Sequence, residues 1–229
     1  MKKASKLSGV IVLVGIALAT AFLATWLSGI VEEDGSPVHP AGSIYQADKE
    51  RQIDWASLPD EVIAWVEVPG TNIDEPIVQA SQDVPNAYLH VDALGQGDYG
   101  TPYIDCECSL DSRFVMVYGH HMSDGSVFAD FASFTDEQYA REHDEIIVYR
   151  REGPMLHLEP VSVDVVNASR ESLVIDQEAD FKEIIDRSDL VLGEASEDSQ
   201  LYTFTTCSYQ TRNSRTVIYA TPVDPFGKI

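Results

Sequence analysis

The pattern that most constrains this chain of 229 residues is a β-hairpin at residues 201–219. Thr, Tyr, Phe, Val and Ile dominate both arms, and these residue types suit a pleated, half-buried surface. A short polar turn separates the arms, with Cys207 at the end of the first arm and Arg215 at the start of the second. Two antiparallel strands joined in this way bring a thiol and a guanidinium side by side.

A thiol beside a guanidinium is suited to nucleophilic chemistry. The cation favours the thiolate, which is the nucleophilic form of cysteine, and it can stabilise the oxyanion that forms when a carbonyl is attacked. The alternative is a buried cysteine in a strand with a surface arginine nearby, because free cysteine often behaves as a small hydrophobic residue. The hairpin alone does not separate these two interpretations.

A second pattern, at residues 113–128, favours the nucleophile. A short apolar strand there runs into a turn at Gly119 and His120. A histidine at the end of a buried strand is well placed to face a cleft, because strand ends carry the loops where sites are built. A cysteine together with a histidine elsewhere in the chain is the arrangement expected of a cysteine nucleophile.

With both patterns in view, the chain resembles the sortases of Gram-positive bacteria, and class B in particular. Residues 203–207 match the family's Thr-Leu-x-Thr-Cys signature, with Phe204 in place of Leu. The family arginine on the next strand is matched by Arg215. Residues 118–122 match the class B form Tyr-Gly-His-Asn-Met, with His121 in place of Asn, and an Asp-Gly pair and a Phe follow as in that class.

Further motifs of the class occur in the same order along the chain. Residues 65–79 carry a Trp, a Gly-Thr turn and a Pro-hydrophobic-hydrophobic-Gln strand, and residues 86–90 are similar to the family's Asn…Tyr-Leu element. The resemblance therefore spans residues 55–220. It implies a mainly β fold with peripheral helices, built on a closed eight-stranded sortase-type barrel and preceded by an N-terminal transmembrane helix.

The sequence between these motifs predicts further elements from its apolar spacing. We predict strands at residues 73–79, 145–150 and 155–166, and helices at residues 44–56, 131–143 and 179–188. A helix just before the cysteine strand is a class B trait, and the resemblance implies that it walls one side of the substrate groove. Packing against the barrel alone is the alternative for this helix.

The N-terminal part predicts a membrane anchor at residues 1–31. Three lysines precede an uncharged apolar run of about 23 residues, which is long enough to cross a bilayer as a helix. A signal peptide is the alternative, but its apolar core is usually about 7–15 residues long. The lysines place the N-terminus in the cytoplasm, so we expect a single-pass cell-membrane protein with an extracellular linker at residues 32–43 and an extracellular catalytic domain at residues 44–229.

The part of the chain beyond this anchor is strongly acidic. All 38 Asp and Glu residues follow Val31, and the formal net charge of the chain is −23. This balance argues against nucleic acid as a partner, because such binding depends on cations that neutralise phosphates. Attraction to a basic partner is one interpretation of the charge, and solubility outside the cell is the one we favour.

Two further cysteines, Cys106 and Cys108, occupy a strand end where the family usually has none. The pair is compatible with a local disulfide, a metal half-site or two free thiols. No matching Cys or His pair elsewhere completes a zinc set, so we expect no metal. An odd cysteine count in an exported protein indicates one free reactive thiol, and the choice between a Cys106–Cys108 link and two free thiols stays open.

Two adjacent histidines compete for the catalytic position, and family position selects His120. The ring of His121 is expected to line the groove or to hydrogen-bond a loop. A metal held by this pair is disfavoured, because most sites need three or more ligands. The other histidines, His90 among them, lie in polar or edge contexts and are interpreted as surface or strand residues.

The resemblance implies a membrane-anchored cysteine transpeptidase, a thiol protease of the EC 3.4.22 type, that needs no cofactor. Cys207 attacks the carbonyl of a Thr in the sorting signal of a secreted protein, and Arg215 steadies the oxyanion or positions the peptide. His120 protonates the departing amine and deprotonates the incoming one, which belongs to a peptidoglycan precursor or a pilin. By family position, the residues that bind the substrate peptide are Tyr118, Thr205, Thr206, Asn86 and Leu89.

Two alternatives from other classes accompany this hypothesis. The first is a membrane-tethered cysteine peptidase that only hydrolyses, and ligation to an added amine separates it from a transpeptidase. The second is an inactive binding module on a sortase-like barrel, and it predicts that Cys207 does not react with an alkylating probe at neutral pH.

Overall fold

The computed structural model describes residues 51–95, 97, 99–210 and 212–224. The predicted membrane anchor, the linker and most of the helix predicted at residues 44–56 lie outside these residues. The described part of that helix contains only a 3-10 helix at Trp55–Ser57. Within the described ranges, no helix is both long and apolar enough to cross a membrane.

Nine strands build the sheet in the described part of the chain. They are β1 (Val62–Glu67), β2 (Asp74–Gln79), β3 (Tyr103–Ile104), β4 (Phe114–Gly119), β5 (Ile146–Arg150), β6 (Leu156–Asn167), β7 (Leu190–Val191), β8 (Leu201–Ser208) and β9 (Ser214–Val223). The strands predicted from apolar spacing are confirmed as β2, β5 and β6. The predicted hairpin is confirmed as β8 and β9.

The strands close into a barrel. Their order is β5-β1-β2-β3-β4-β8-β9-β6-β7, and an additional pairing of β5 with β6 joins the two sides of the sheet. Eight strands therefore form a ring, and the two-residue β7 pairs with β6 outside it. The expected closed eight-stranded barrel is confirmed, with one short strand added to it.

Strands β4 and β8 are parallel neighbours in this barrel. The register pairs Phe114 with Leu201 at one end and Gly119 with Thr206 at the other. Parallel neighbours need a long crossover connection, and here the crossover carries β5, β6 and β7. Because both strands run in the same direction, the turn that follows β4 and the last residues of β8 lie at the same end of the barrel.

The helix predicted at residues 131–143 is wrong as a single element. The structure has a 3-10 helix at Ala129–Thr135 and then helix α1 at Glu137–Glu142, and Asp136 between them is extended. The Asp136 carboxylate accepts a hydrogen bond of 3.0 Å from the Tyr139 backbone N–H. This N-cap starts a new helix instead of continuing the old one.

The helix predicted at residues 179–188 is confirmed as α2 (Phe181–Asp186). It packs three buried side chains onto the outer face of the barrel, Phe181, Ile184 and Ile185. Strand β8 is thereby buried on both faces: Leu201 lies in the cluster under α2, whereas Phe204 lies in the core inside the barrel. Burial specifies the register of such a strand, because a slip of one residue would move each side chain to the other face.

Gly119, the last residue of β4, is a point of close packing. A Cβ atom at this position would lie 2.3 Å from Cδ2 of Phe128, whose side chain is fully buried. The Phe128 N–H also donates a hydrogen bond of 2.9 Å to the His120 carbonyl. The missing side chain at position 119 therefore lets the turn after β4 close tightly against the core.

We expect Gly119→Ala to lower the free energy of unfolding by about 1–3 kcal/mol, because the added methyl group collides with a ring that has no free space around it. Urea denaturation followed by tryptophan fluorescence measures the change. Gly193→Ala is the matched control: its added Cβ would meet Val161 only at 3.7 Å, so we expect a change within about 0.5 kcal/mol. Equal stability of the two variants would contradict this account of Gly119.

A carboxyl group on β2 links the stability of the fold to pH. Burial raises the pKa of Glu75 to about 7, and the Val127 amide that faces the carboxylate lowers this pKa only in part. The nearby charges of Asp74 and Asp92 raise it further. The folded state therefore favours the protonated form, and this stabilisation is present at acidic pH and lost as the pH rises through about 7.

Relative to the unchanged protein, the free energy of unfolding of Glu75→Gln should rise by about 1 kcal/mol as the pH is raised from 5 to 8. The reason is that the amide stays neutral where the half-buried carboxyl must ionise. Urea denaturation at several pH values measures the difference. Glu152→Gln removes an exposed carboxyl and is the control, for which the difference should not change with pH. A difference for Glu75→Gln that is constant over this range would refute the assignment.

Candidate active site

The cysteine, histidine and arginine predicted from the sequence border one cleft of about 460 Å³. Cys207 and Arg215 are directly paired between β8 and β9. His120 follows Gly119, whose backbone is in register with Thr206 of β8. The parallel pairing of β4 with β8 and the hairpin of β8 with β9 thus bring together three side chains from two distant parts of the chain. Their catalytic roles stay predictions at this point.

The residues predicted to bind substrate line the same cleft: Tyr118, Thr205, Thr206, Asn86 and Leu89. Others that the sequence analysis did not select line it as well, among them His90, Tyr103, Asp105, Leu173 and Val174. The last two precede α2, and no residue of Phe181–Asp186 borders the cleft. The expectation that α2 itself walls the groove is therefore wrong, because the apolar side of this helix packs on the barrel.

The three predicted residues of β8 do not share one face. Side chains alternate along a strand, so Thr205 and Cys207 lie on one face and Thr206 on the other. Thr206 is paired with Thr216 across the hairpin, and within the described residues neither buried hydroxyl has a hydrogen-bond partner. Such a group costs about 1–3 kcal/mol, so this pair is a weak point in the packing beneath the nucleophile.

The imidazole of His120 is held by a backbone carbonyl. Its Nε2 lies 2.6 Å from the Leu89 oxygen. A carbonyl oxygen only accepts hydrogen bonds, so Nε2 carries the proton of this contact. The neutral ring therefore keeps Nδ1 as its basic nitrogen, which fixes the atom of His120 that can take up or release a proton in the cleft.

A tightly packed loop presents the Leu89 carbonyl. Leu89 ends a 3-10 helix at Ala87–Leu89, and the Thr101 N–H donates to the Tyr88 carbonyl over 3.1 Å. Gly100 has a left-handed φ of +77°, and a Cβ there would lie 2.5 Å from the Leu89 oxygen. Only glycine combines that backbone conformation with so close an approach.

His90 stacks on the catalytic candidate. The ring centroids of His90 and His120 are 6.1 Å apart and the ring planes differ by 18°. His90 is exposed, as the sequence interpretation has it, but it also borders the cleft. The sequence signal that could have selected it is its position next to Leu89, within the motif at residues 86–90.

The ring of His121 lies outside the cleft that His120 borders. Its Nδ1 lies 2.9 Å from the carbonyl oxygen of Cys207. The expectation that this ring hydrogen-bonds a neighbouring segment is met, and the ring does not line the cleft. Because His120 and His121 contact different carbonyls, they do not form a chelating pair, and no cluster of metal ligands occurs among the described residues.

Arg215 is fixed at the turn of the hairpin. Its Nη1 donates to the Asn213 side-chain oxygen over 3.2 Å and to the Ser214 carbonyl over 3.0 Å. These acceptors are neutral, and among the described residues no carboxylate lies within ion-pair distance of the guanidinium. Its positive charge is therefore available to an anion that forms beside Cys207.

The three cysteines are free thiols in different surroundings. Cys108 is buried, its sulfur accepts a hydrogen bond of 3.3 Å from the Met116 N–H, and burial raises its pKa to about 11. Cys106 lies between Asp105 and Glu107, whose negative charges disfavour a thiolate. Of the alternatives for Cys106 and Cys108, the structure has the two free thiols. Cys207 is the half-buried thiol that borders the cleft, and its partner in the strand register is Arg215.

Aromatic side chains form one wall of the cleft. Tyr103 and Tyr118 are paired across β3 and β4, and their ring centroids are 5.6 Å apart. Burial raises the pKa of Tyr118, and the nearby Asp105 raises it further. The phenol therefore stays neutral, and its O–H group donates a hydrogen bond of 3.5 Å to the Leu173 carbonyl beside the cleft.

A family model for the sortase domain matches residues 66–223, which is more than half of the chain. Sortase B of Listeria monocytogenes serovar 1/2a is 30% identical over 94 residues, and the match covers 39% of this chain and 37% of that protein. The chain thus aligns with little more than a third of the length of this relative.

Solved structures of class B sortases share the fold. Sortase B of Clostridium perfringens is 28% identical with a TM-score of 0.62, and the match covers 72% of this chain and 94% of that one. A class B sortase of Streptococcus pyogenes, Spy0129, is 18% identical with a TM-score of 0.63 over 73% of this chain and 95% of its own. At that identity the likeness concerns the fold alone.

The structure is thus a closed β-barrel with a cysteine, a histidine and an arginine around one cleft. The chain belongs to the sortase family, whose enzymes are cysteine transpeptidases, and the relatives that it matches are of class B.

We expect Gly100→Ala to release His120 from its single tautomer, because the added Cβ would displace the Leu89 carbonyl from the Nε2 proton. Long-range proton–nitrogen NMR spectra of the imidazole rings distinguish the two tautomers directly. In the unchanged protein, His120 should show the Nε2–H form, and in the variant a mixture of forms.

Gly95→Ala is the matched control for this experiment. Gly95 lies in the same loop region with a φ of +68°, but a Cβ there would meet nothing within 4 Å. The Gly95→Ala variant therefore has the same kind of backbone strain as Gly100→Ala but lacks the collision. An unchanged His120 tautomer in Gly100→Ala, or an equal change in both variants, would contradict the role of the Leu89 carbonyl.

Proposed function

We propose that this protein is a membrane-anchored class B sortase that cleaves a C-terminal sorting signal after Thr and transfers the new acyl group to an amine. The observation that carries the proposal is the meeting of Cys207, His120 and Arg215 around one cleft. A thiol, an imidazole and a guanidinium that has no carboxylate within ion-pair distance among the described residues supply a nucleophile, a proton carrier and an oxyanion partner.

The first half of the reaction forms a thioester. The Cys207 thiolate adds to the Thr carbonyl, and the Arg215 guanidinium stabilises the negative charge that develops on the carbonyl oxygen. The tetrahedral adduct collapses with cleavage of the peptide bond, and protonated His120 gives its proton to the departing amine. The products of this half-reaction are an acyl-enzyme, neutral His120 and the released C-terminal peptide.

The second half-reaction restores the enzyme. An acceptor amine adds to the thioester carbonyl, and the basic nitrogen of His120 takes its surplus proton. The Cys207 thiolate then leaves, and the acyl group is joined to the acceptor by a new amide bond. An acceptor amine thus replaces water, and the net reaction exchanges one amide for another.

The cleft suits an extended peptide. Tyr118 and Tyr103 offer apolar walls with phenol hydroxyls, whereas Asn86 and Thr205 offer short polar groups. This mixture is typical of sites that fix orientation with a few polar contacts on an apolar surface. The class B resemblance favours a signal of the Asn-Pro-x-Thr type, and we propose that these residues contact it.

The acceptor and the cellular setting follow from the same proposal. Spy0129 is a sortase involved in pilus biogenesis, so a pilin amine is one acceptor that we propose, and a peptidoglycan precursor is the other. The apolar run at residues 9–31 is proposed to anchor the chain in the cell membrane with the barrel outside. Secreted proteins that carry a sorting signal would then meet the cleft at the membrane surface.

The central test is covalent capture by Cys207. Incubation of the full-length chain in detergent micelles with a panel of sorting-signal peptides is expected to give an acyl adduct on Cys207 in intact-protein mass spectra. Addition of an amine should convert this adduct into a ligated peptide. Ligation supports the transpeptidase, whereas release of the free acid alone supports the hydrolytic peptidase.

Substitutions separate the roles of the three groups. Cys207→Ala should form no adduct, and Cys106→Ala is the matched control that should form it at the normal rate. Arg215→Ala should slow acyl transfer by about 100- to 1000-fold, because one charged oxyanion partner is lost. Adduct formation in Cys207→Ala, or no adduct in the unchanged protein with any peptide, would end this assignment.

A further inference from the structure

The ladder between β4 and β8 ends one residue before the nucleophile. Its last pair is Gly119 with Thr206, and the next carbonyl along β8 is that of Cys207. The Nδ1 atom of His121 lies 2.9 Å from this oxygen. A side chain therefore contacts the strand where the backbone pairing has stopped, and because a carbonyl only accepts, Nδ1–H is the donor.

The imidazole of His121 is oriented by contacts on other sides. The backbone of His121 forms a β-bridge with Val127. Its ring meets the ring of Tyr209 edge-on, with centroids 4.8 Å apart and planes at 69°. The ring is half-buried, so its direction is set by its neighbours and not by the one hydrogen bond alone.

The two consecutive histidines thus make different contacts. His120 borders the cleft and is fixed through Nε2 to the Leu89 carbonyl. His121 leaves the cleft and is fixed through Nδ1 to the Cys207 carbonyl. The turn after β4 therefore carries His120, the proton carrier of the proposed reaction. It also carries His121, whose ring hydrogen-bonds the backbone carbonyl of the proposed nucleophile.

The hydrogen bond from His121 bears on the distance between Cys207 and His120, which matters for catalysis. A displacement of about 1 Å between reacting groups can cost about 100-fold in rate. The turn after β4 and the end of β8 lie beyond their shared ladder, so backbone pairing between the two strands no longer fixes their separation there. The hydrogen bond from His121 supplies that constraint.

We propose that His121 is a positioning residue that holds Cys207 at its working distance from His120 by donating a hydrogen bond to the Cys207 carbonyl. This inference rests on the proposed transpeptidase function and deepens it. His121 does not border the cleft and acts on the peptide substrate only through Cys207.

Three variants of the full-length chain test the proposal. His121→Ala removes the donor. His121→Asn restores a donor, because the Asn side-chain N–H can occupy nearly the place of Nδ1–H. His143→Ala is the matched control: His143 has the same kind of contact, from Nδ1 to the Tyr139 carbonyl at 2.9 Å, but it does not border the cleft.

The first measurement is the rate of acyl-enzyme formation with a peptide that the unchanged protein accepts. We expect His121→Ala to lower kcat by about 10- to 100-fold while KM changes by less than about 3-fold, because the reacting groups are displaced and the groove is not. His121→Asn should recover most of this loss, and His143→Ala should show none. Equal impairment in His121→Ala and His121→Asn, or a normal kcat in His121→Ala, would overturn the proposal.

Two further measurements need no sorting-signal peptide. NMR of the imidazole rings in the unchanged protein should show the Nδ1–H tautomer for His121, and the Nε2–H tautomer would overturn the proposal. Alkylation of Cys207 by iodoacetamide at neutral pH should be slower in His121→Ala by about 3-fold or more, because the displaced thiol loses its place near the imidazole of His120 that can take up its proton. An unchanged alkylation rate in His121→Ala would count against the proposal.

The measurements distinguish failure of this inference from failure of the proposed function. If no peptide acylates Cys207 in the unchanged protein, the transpeptidase assignment fails, and the tautomer and the alkylation rate still decide the role of His121. If His121→Ala lowers the melting temperature strongly, the tautomer in the unchanged protein and the recovery in His121→Asn remain decisive.

Discussion

The parallel register of β4 with β8 is the constraint on which the rest of the cleft depends. It places the turn with His120 beside the strand end with Cys207, and the antiparallel partner β9 then adds Arg215. A slip of one residue would turn each side chain of β8 to the opposite face and send the Cys207 sulfur into the barrel. Burial on both faces of β8 opposes such a slip, so the packing that stabilises the barrel also fixes the positions of these three residues.

The sequence predicts those parts of the site that depend on neighbouring residues along the chain. The pairing of Cys207 with Arg215 follows from the hairpin alone, because a short turn leaves two antiparallel arms little choice of partner. The position of His120 beside them depends on a crossover of many residues, and only the family resemblance predicted it. The same limit explains the helix at residues 131–143: its apolar spacing continues through Asp136, but the carboxylate caps a new helix there.

The environments of the three thiols show why composition alone does not identify a nucleophile. Cys108 is buried among apolar side chains, and Cys106 lies between two acidic residues, so each is placed where a thiolate is disfavoured. Cys207 shares a cleft with an arginine whose hydrogen bonds go to neutral acceptors. In a chain with a formal net charge of −23, the cleft has a local balance of charge, because its described lining residues include Arg215 beside one carboxylate. Among the residues that line this cleft, Asp105 is the acidic one, and it lies on the segment after β3 instead of on the strands that carry the thiol and the guanidinium.

Backbone carbonyls give the two adjacent histidines their different properties. A ring that donates through Nε2 keeps Nδ1 as its base, and a ring that donates through Nδ1 keeps Nε2, so each carbonyl selects a tautomer as well as an orientation. The Leu89 oxygen makes this selection for His120 and the Cys207 oxygen makes it for His121. Sequence patterns do not contain such contacts, because every residue has a carbonyl and only the fold decides which one meets a ring. At position 121 a His therefore supplies an N–H that reaches the Cys207 carbonyl, whereas the ring of His120 borders the cleft.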